Sequence, residues 1–398
     1  MKSIFAKFTL FFLLIASFKA EAQLSVHLIL PSATDAAITT FTDPGSGQYH
    51  ISAVNQGVTA RNLLFVFLPG TNGAPIGYKR IDSLAADMGY HVIGLMYPNS
   101  PSVGSLCDYN SDSTCFDNVR REIVDGIDRS PLVTVDTTNC IEHRLRKLIQ
   151  YLQLHYPAQN WGQYLDNTNH IKWDKIVISG HSQGGGHAGI IAKYYQVNRV
   201  VFFASPKDYS KYYNRQAAWY KGSHLTPATV YYGFSHIEDS TGSTFAEQFE
   251  CYQLLGMANF GATVNADTTT SPYYYTHMLT SSLPTSNAHG CVVVDGSDSL
   301  DINGIPIYKS VWTYMLGNTV ISGINDKQGA KHELIIWPNP SNNTINIECL
   351  NGYQIFTATG VLLKEQKGSS SQIDISDLPA GLYFLKADDH TSRFIKID

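Results

Sequence analysis

One short segment constrains this chain more than any other. Gly180-His181-Ser182-Gln183-Gly184 lies directly between the apolar run Lys175-Ile176-Val177-Ile178-Ser179 and residues 183–194, which have helical spacing with small residues on the early turns. The run before it reads as a buried strand. A G-x-S-x-G placed between strand and helix demands a sharp turn. That turn forces the central residue into strained backbone geometry, and a side chain at either flanking position would clash. It lifts the Ser182 hydroxyl above the sheet, at a helix N-terminus whose unpaired N–H groups and dipole favour developing negative charge. Gly185 and Gly186 let the same helix approach neighbouring strands. A Gly-rich turn that only caps a helix could carry the same letters. The strand before it and the helix after it favour a nucleophile.

The flanking sequence fits that turn. Leu24–Leu30 and Gln48–Val54 are short strand-like runs. Asn62–Leu68 is a largely apolar run ending at Pro69-Gly70, and His91–Met96 is a second buried strand. Residues 77–89 and Cys140–Tyr156 have helical spacing. Arg199–Ala204 and Ala228–Gly233 read as further strands, and a last helix covers about 306–316. Strand–helix–strand repetition predicts an α/β fold, a doubly wound, mostly parallel sheet with helices on both faces. After Leu316 the character changes. Asn318–His332 is polar, and the rest reads as a small all-β sandwich of seven strands: Glu333–Trp337, Thr344–Cys349, Gln354–Thr357, Gly360–Gln366, Gln372–Ile375, Gly381–Lys386 and Ser392–Ile397.

A nucleophile at such a turn needs two N–H donors for an oxyanion. One is the backbone of Gln183. The other comes from Leu68-Pro69-Gly70-Thr71-Asn72-Gly73, with Thr71 chosen ahead of Gly70. On these features residues 60–316 resemble the α/β-hydrolase superfamily. The resemblance implies that Ser is followed in the chain by Asp or Glu and then by His, with the acid after the second strand beyond the nucleophile. That strand leads into Phe234-Ser235-His236-Ile237-Glu238-Asp239, which offers Asp239, with Glu238 as alternative and Asp208 as an outside candidate. For the His, Asn287-Ala288-His289-Gly290 ends a Ser/Thr/Pro/Asn-rich loop that suits a mobile catalytic group. His277 lies in the strand-like aromatic stretch from Tyr273 and is better read as packed. His181 is read as packing behind the turn.

The C-terminal part carries its own resemblance. Trp337-Pro338-Asn339-Pro340-Ser341, the segment Asp374–Lys386 with Leu378-Pro379-Ala380-Gly381, and the ending Phe394-Ile395-Lys396 resemble a type IX secretion sorting domain over about 333–398. This implies export across the outer membrane of a Bacteroidota-type bacterium, the secretion machinery as partner, and a secreted or outer-surface location. The N-terminus agrees. Lys2 and Lys7, the apolar core Phe8–Phe18 and Ala20-Glu21-Ala22 read as a signal peptide over 1–22. The expected organisation is therefore a signal peptide over 1–22, a catalytic domain over 23–325, a linker over 326–332 and a sorting domain over 333–398.

Export makes disulfides plausible. Among six Cys, Cys107–Cys115 is the expected local pair and Cys251–Cys291 the second. With 28 basic and 33 acidic residues there is no cationic excess for nucleic acid, and an 11-residue apolar core is too short for a stable membrane span. No CxxC or His/Cys cluster suggests a metal.

The expected activity is a secreted serine hydrolase cleaving carboxylic esters. Ser182, Asp239 and His289 are catalytic, the Thr71 and Gln183 N–H groups form the oxyanion hole, and no cofactor is called for. The competing readings are a non-catalytic surface binding protein on the same fold and a serine peptidase. Only 23 residues (205–227) separate the two strands after Ser182, too few for a large multi-helix cap, so an open site for small or polymeric esters is expected. Tyrosine pairs such as Tyr212-Tyr213 could line a sugar- or aromatic-binding cleft.

Overall fold

The computed structural model describes residues 24–317, 336–349, 352–357, 361–387 and 390–397. The expected signal peptide and linker lie outside the described residues. The chain divides into two compact units, one holding 24–317 and the other the described residues from 336 onward.

The first unit is built on one nine-stranded sheet. Its strands are β1 (Leu24–Ile29), β2 (His50–Asn55), β3 (Leu64–Leu68), β4 (His91–Gly94), β5 (Ile176–His181), β6 (Arg199–Phe203), β7 (Tyr231–His236), β8 (Val264–Asn265) and β9 (Met278–Ser281). Their spatial order is β1-β2-β4-β3-β5-β6-β7-β9-β8. β1 and β2 pair antiparallel at one edge, and every pairing from β4 to β8 is parallel. The central strands are apolar on both sides, as a sheet covered on both faces requires. In β3, Leu64, Val66 and Leu68 join one core and Phe65 and Phe67 the other. The first face is covered by α2 (Cys115–Asp125), α3 (Ile141–His155), α4 (Gln183–Tyr194) and α5 (Phe245–Leu254), and the second by α1 (Lys79–Asp87) and α6 (Lys309–Met315).

Several expectations shift. The strand expected at Ala228–Gly233 begins at Tyr231. Residues 228–230 form a 3-10 turn after Pro227, whose ring fixes φ and removes a donor. The aromatic stretch read as a strand is a 3-10 turn, Tyr273–Tyr275, with φ between 51° and 61°, and the strand is β9 just beyond it. Helix α2 was not anticipated. Cys107–Cys115 is a disulfide, but Cys251 and Cys291 are both free. Cys251 belongs to the core on one face of the sheet and Cys291 to the core on the other, so the expected bond would have to pass through the sheet.

The second unit is antiparallel: β10 (Thr344–Cys349) pairs with β13 (Ser370–Asp374), and β12 (Leu362–Lys367), β11 (Gly352–Thr357), β14 (Gly381–Ala387) and β15 (His390–Lys396) form a four-stranded sheet in that order. Ile345, Ile347 and Ile373 from the two-stranded pair share one core with Ile355, Leu385 and Phe394 from the larger sheet. Of the strand expected at Glu333–Trp337, residues 333–335 lie outside the described residues and Trp337 makes a single bridge to Asn346. No helix among the described residues is long and apolar enough to cross a membrane.

Candidate active site

Strand β5 ends at His181 and α4 begins at Gln183, so Ser182 alone makes the turn. Its backbone sits at φ 54°, ψ −118°, a conformation costing about 1–3 kcal/mol. The surrounding structure holds it there: the Ser182 N–H donates to Phe203 O at 3.0 Å. The glycines are explained by close approach. A Cβ on Gly184 would stand 2.0 Å from Leu68 O, and one on Gly185 would stand 1.7 Å from Ser205 Oγ. Ser182 is half-buried and lines a cavity of about 520 Å³.

His289 reaches the same cavity from a turn between β9 and α6. Asn287 Oδ1 fixes that turn by accepting the Gly290 N–H at 2.8 Å. Asp239, buried just after β7, meets His289 Nδ1 through Oδ2 at 2.9 Å. Asp239 Oδ1 accepts the Thr241 N–H at 3.0 Å and Oδ2 also accepts Gln248 Nε2 at 2.9 Å. Burial pushes the Asp239 carboxyl up, but the His289 hydrogen bond, the Lys207 charge and the Thr241 N–H outweigh it and hold it below its usual range. His289 is pulled down by burial and by Lys207, against the opposing pull of Asp239. A neutral imidazole with its proton on Nδ1, bonded to Asp239, leaves Nε2 free to accept. Among the described residues neither His289 Nε2 nor Ser182 Oγ has a hydrogen-bond partner, and both residues line the cavity.

The other candidates separate clearly. Glu238, one residue from Asp239, is exposed. Asp208 is buried and locked by Arg120 of α2, with Nε to Oδ2 at 2.6 Å and Nη2 to Oδ1 at 2.5 Å, and by Trp219 Nε1 at 2.7 Å. Arg120 Nη1 also donates to Gln183 O at 3.0 Å, which braces the turn after Ser182. His277 is buried and stacked between Tyr232 and Phe260, each with ring centroids at 4.2 Å.

The Pro69–Gly73 loop is fixed by a hydrogen-bond chain. The Gly70 N–H donates to Tyr78 Oη at 3.2 Å, Tyr78 donates to His181 Nδ1 at 3.0 Å, and His181 Nε2 donates to His289 O at 2.9 Å. Gly70 is thereby committed, and His181 supports the His289 backbone. The Thr71 and Gln183 N–H groups have no acceptor among the described residues, and both residues line the cavity beside Ser182. Thr71 Oγ1 donates to Gln183 Oε1 at 3.0 Å, tying the two loops together. Asn99 Nδ2 donates to Gly70 O at 2.9 Å and Gly73 O at 2.8 Å, which shapes the first loop.

Lys207 was not read from the sequence. Its ammonium donates to Thr241 O and lies 3.4 Å from His289 Nδ1. Burial lowers its pKa to about 8 despite the nearby carboxylates. Tyr78, Asn99 and Arg120 were also missed, because each acts from an element distant in sequence from Ser182. Among the described residues no group of three or more His, Cys, Asp or Glu could hold a metal ion.

Comparison with known proteins bears on the second unit. Residues 335–397 match the secretion system C-terminal sorting domain family. A domain of this type marks a secreted or outer-surface protein and implies engagement with the type IX secretion machinery. No curated protein matches the chain significantly. Among solved structures, PorZ, an essential surface component of the type IX secretion system of Porphyromonas gingivalis, is similar at 18% identity and a TM-score of 0.15, over 16% of this chain and 11% of PorZ. A Klebsiella pneumoniae protein named as a dienelactone hydrolase is similar at 12% identity and a TM-score of 0.32, over 66% of this chain and 86% of that one. Neither likeness bears on what residues 24–317 do.

Proposed function

We propose that this exported protein is a serine hydrolase of the α/β-hydrolase superfamily that cleaves carboxylic ester bonds. The observation that carries the reading is the 2.9 Å pairing of buried Asp239 with His289 in the cavity that also holds the strained Ser182. The placement of the groups supports it. Ser182 follows β5, Asp239 follows β7 and His289 follows β9, all at the carboxyl ends of parallel strands.

In this reading His289 Nε2 takes the Ser182 proton as Oγ attacks the ester carbonyl. Asp239 holds the tautomer and stabilises the imidazolium that forms. The Thr71 and Gln183 N–H groups receive the oxyanion. The imidazolium then protonates the leaving alcohol, and the same His activates water to release the acid. The absence of a Ser182–His289 bond in the free protein fits this scheme, because such contacts commonly tighten only when substrate binds.

The test is labelling of the full chain with a fluorophosphonate probe, beside turnover of p-nitrophenyl acetate. Wild type should label and turn over, and Ser182→Ala should do neither. A folded wild type that neither labels nor hydrolyses the ester would leave the surface-binding reading in its place.

Lys207 gives a second expectation. Its positive charge opposes protonation of His289, while Asp239 favours it. Lys207→Met should therefore raise the His289 pKa. Since the neutral imidazole is the base, the acidic limb of kcat/KM against pH should move to higher pH. A limb that stays put, or moves down, would show that Lys207 does not tune His289.

A further inference from the structure

Two braced loops whose bases reach the cavity carry exposed tyrosines. One is the disulfide loop between Cys107 and Cys115, and the other is the hairpin whose strands Tyr209–Ser210 and Arg215–Gln216 pair antiparallel. Asp108 and Asp208 line the cavity, and the next residue in each case, Tyr109 or Tyr209, leads into the loop. The loops are tied directly. The Tyr212 N–H donates to Asp108 O at 2.9 Å, Tyr213 Oη donates to Ser111 O, and Lys211 pairs with Asp108 at 3.4 Å.

On this fixed base three rings stay open. Tyr109 is 75% exposed, Tyr212 58% and Tyr213 37%. Their geometry is set: Tyr212 and Tyr213 meet edge to face with centroids at 4.9 Å, Lys211 Nζ lies 5.6 Å from the Tyr109 ring centre, and Arg215 lies 5.1 Å from that of Tyr213. Exposed tyrosines at these levels, held in place rather than packed away, present apolar faces with polar edges. The interleaved Asp108, Lys211 and Arg215 do not suit a lipid surface, which favours contiguous apolar area. They do suit a ligand with an apolar C–H face and a rim of hydroxyls. A pyranose ring has both.

We infer that the Tyr109–Tyr212–Tyr213 rim is a carbohydrate subsite that seats a sugar unit beside the Ser182 cavity, so that the substrate is an esterified polysaccharide. The substrate assignment rests on the ester-hydrolase reading, and the sugar subsite does not. The link rests on Asp108, which lines the cavity one residue before Tyr109 and whose carbonyl accepts the Tyr212 N–H.

Two measurements on the full chain separate the claims. In the first, Ser182→Ala is run by affinity electrophoresis through gels containing acetylated xylan, acetylated mannan or methyl-esterified pectin. Retardation by at least one is expected, and adding Tyr109→Ala and Tyr212→Ala should weaken it by roughly 10-fold or more. Retardation by none of the three, or retardation unaffected by the two substitutions, overturns the subsite. In the second, the Tyr109→Ala/Tyr212→Ala protein is assayed on the retained polymer and on p-nitrophenyl acetate. The kcat/KM on the polymer should fall by roughly 10-fold relative to that on the small ester, mainly through KM. Equal losses on both overturn the assignment of a polysaccharide ester. Binding without turnover of either ester would sink the hydrolase reading and the substrate assignment with it, while leaving the sugar subsite standing.

Discussion

Asp239→Asn is expected to lower kcat for p-nitrophenyl acetate by about 10,000-fold, with the far-UV circular dichroism unchanged. The reason is the donor count around the carboxylate. Its oxygens accept His289 Nδ1–H, Gln248 Nε2 and the Thr241 N–H. An Asn has one oxygen in place of two. If that oxygen keeps the Thr241 N–H, the amide nitrogen turns toward Gln248 and His289. His289 must then accept at Nδ1 and carry its proton on Nε2, the atom that should take the Ser182 proton. Glu238→Gln is the control, because Glu238 is exposed and stands apart from that network. A loss of tenfold or less in Asp239→Asn would remove Asp239 from the mechanism, and a large loss in Glu238→Gln would reassign the acid.

Arg120→Met is expected to destabilise the first unit by about 3–5 kcal/mol, read as a lower urea midpoint. The substitution strands Asp208, a buried carboxylate whose two oxygens both face Arg120 and which keeps only Trp219 Nε1 as a side-chain donor. Breaking a buried pair from one side costs more than removing both charges. The double variant Arg120→Met/Asp208→Leu should therefore recover much of the loss. Turnover should fall in both variants, since Arg120 also holds Gln183 O beside the expected oxyanion donor. If the single and double variants unfold at the same urea concentration, the stranded charge is not the cause.

Much of the architecture was legible because its signals are local. The apolar runs before Pro69 and Gly180, the helical spacing of Cys140–Tyr156 and the change of character after Leu316 each lie within a short window. Their elements appear as β3, β5, α3 and the separate antiparallel unit. The misplaced β7 and β9 have the opposite cause. Tyr-rich segments fit a strand or a packed turn equally well, and pairing with neighbours decides between them.

The site divides along the same line. The sequence by itself determined the turn at Ser182, because a strand, two close-approach glycines and a helix N-terminus are all consecutive residues. Together with the resemblance it also narrowed the partners to Asp239, Glu238 or, as an outside candidate, Asp208, and to His289 or His277. Which of them come together was left to tertiary structure, which pairs Asp239 with His289. Neighbouring carboxylates have the same chemistry, and only the direction of the chain after β7 buries one against His289 and leaves the other in water. In the same way, the sheet lying between Cys251 and Cys291 forbids a bond that their spacing allowed. Lys207 beside His289, Tyr78 on the Gly70 N–H and Arg120 behind Gln183 all come from distant segments, and contacts across such separations leave no pattern in a single sequence.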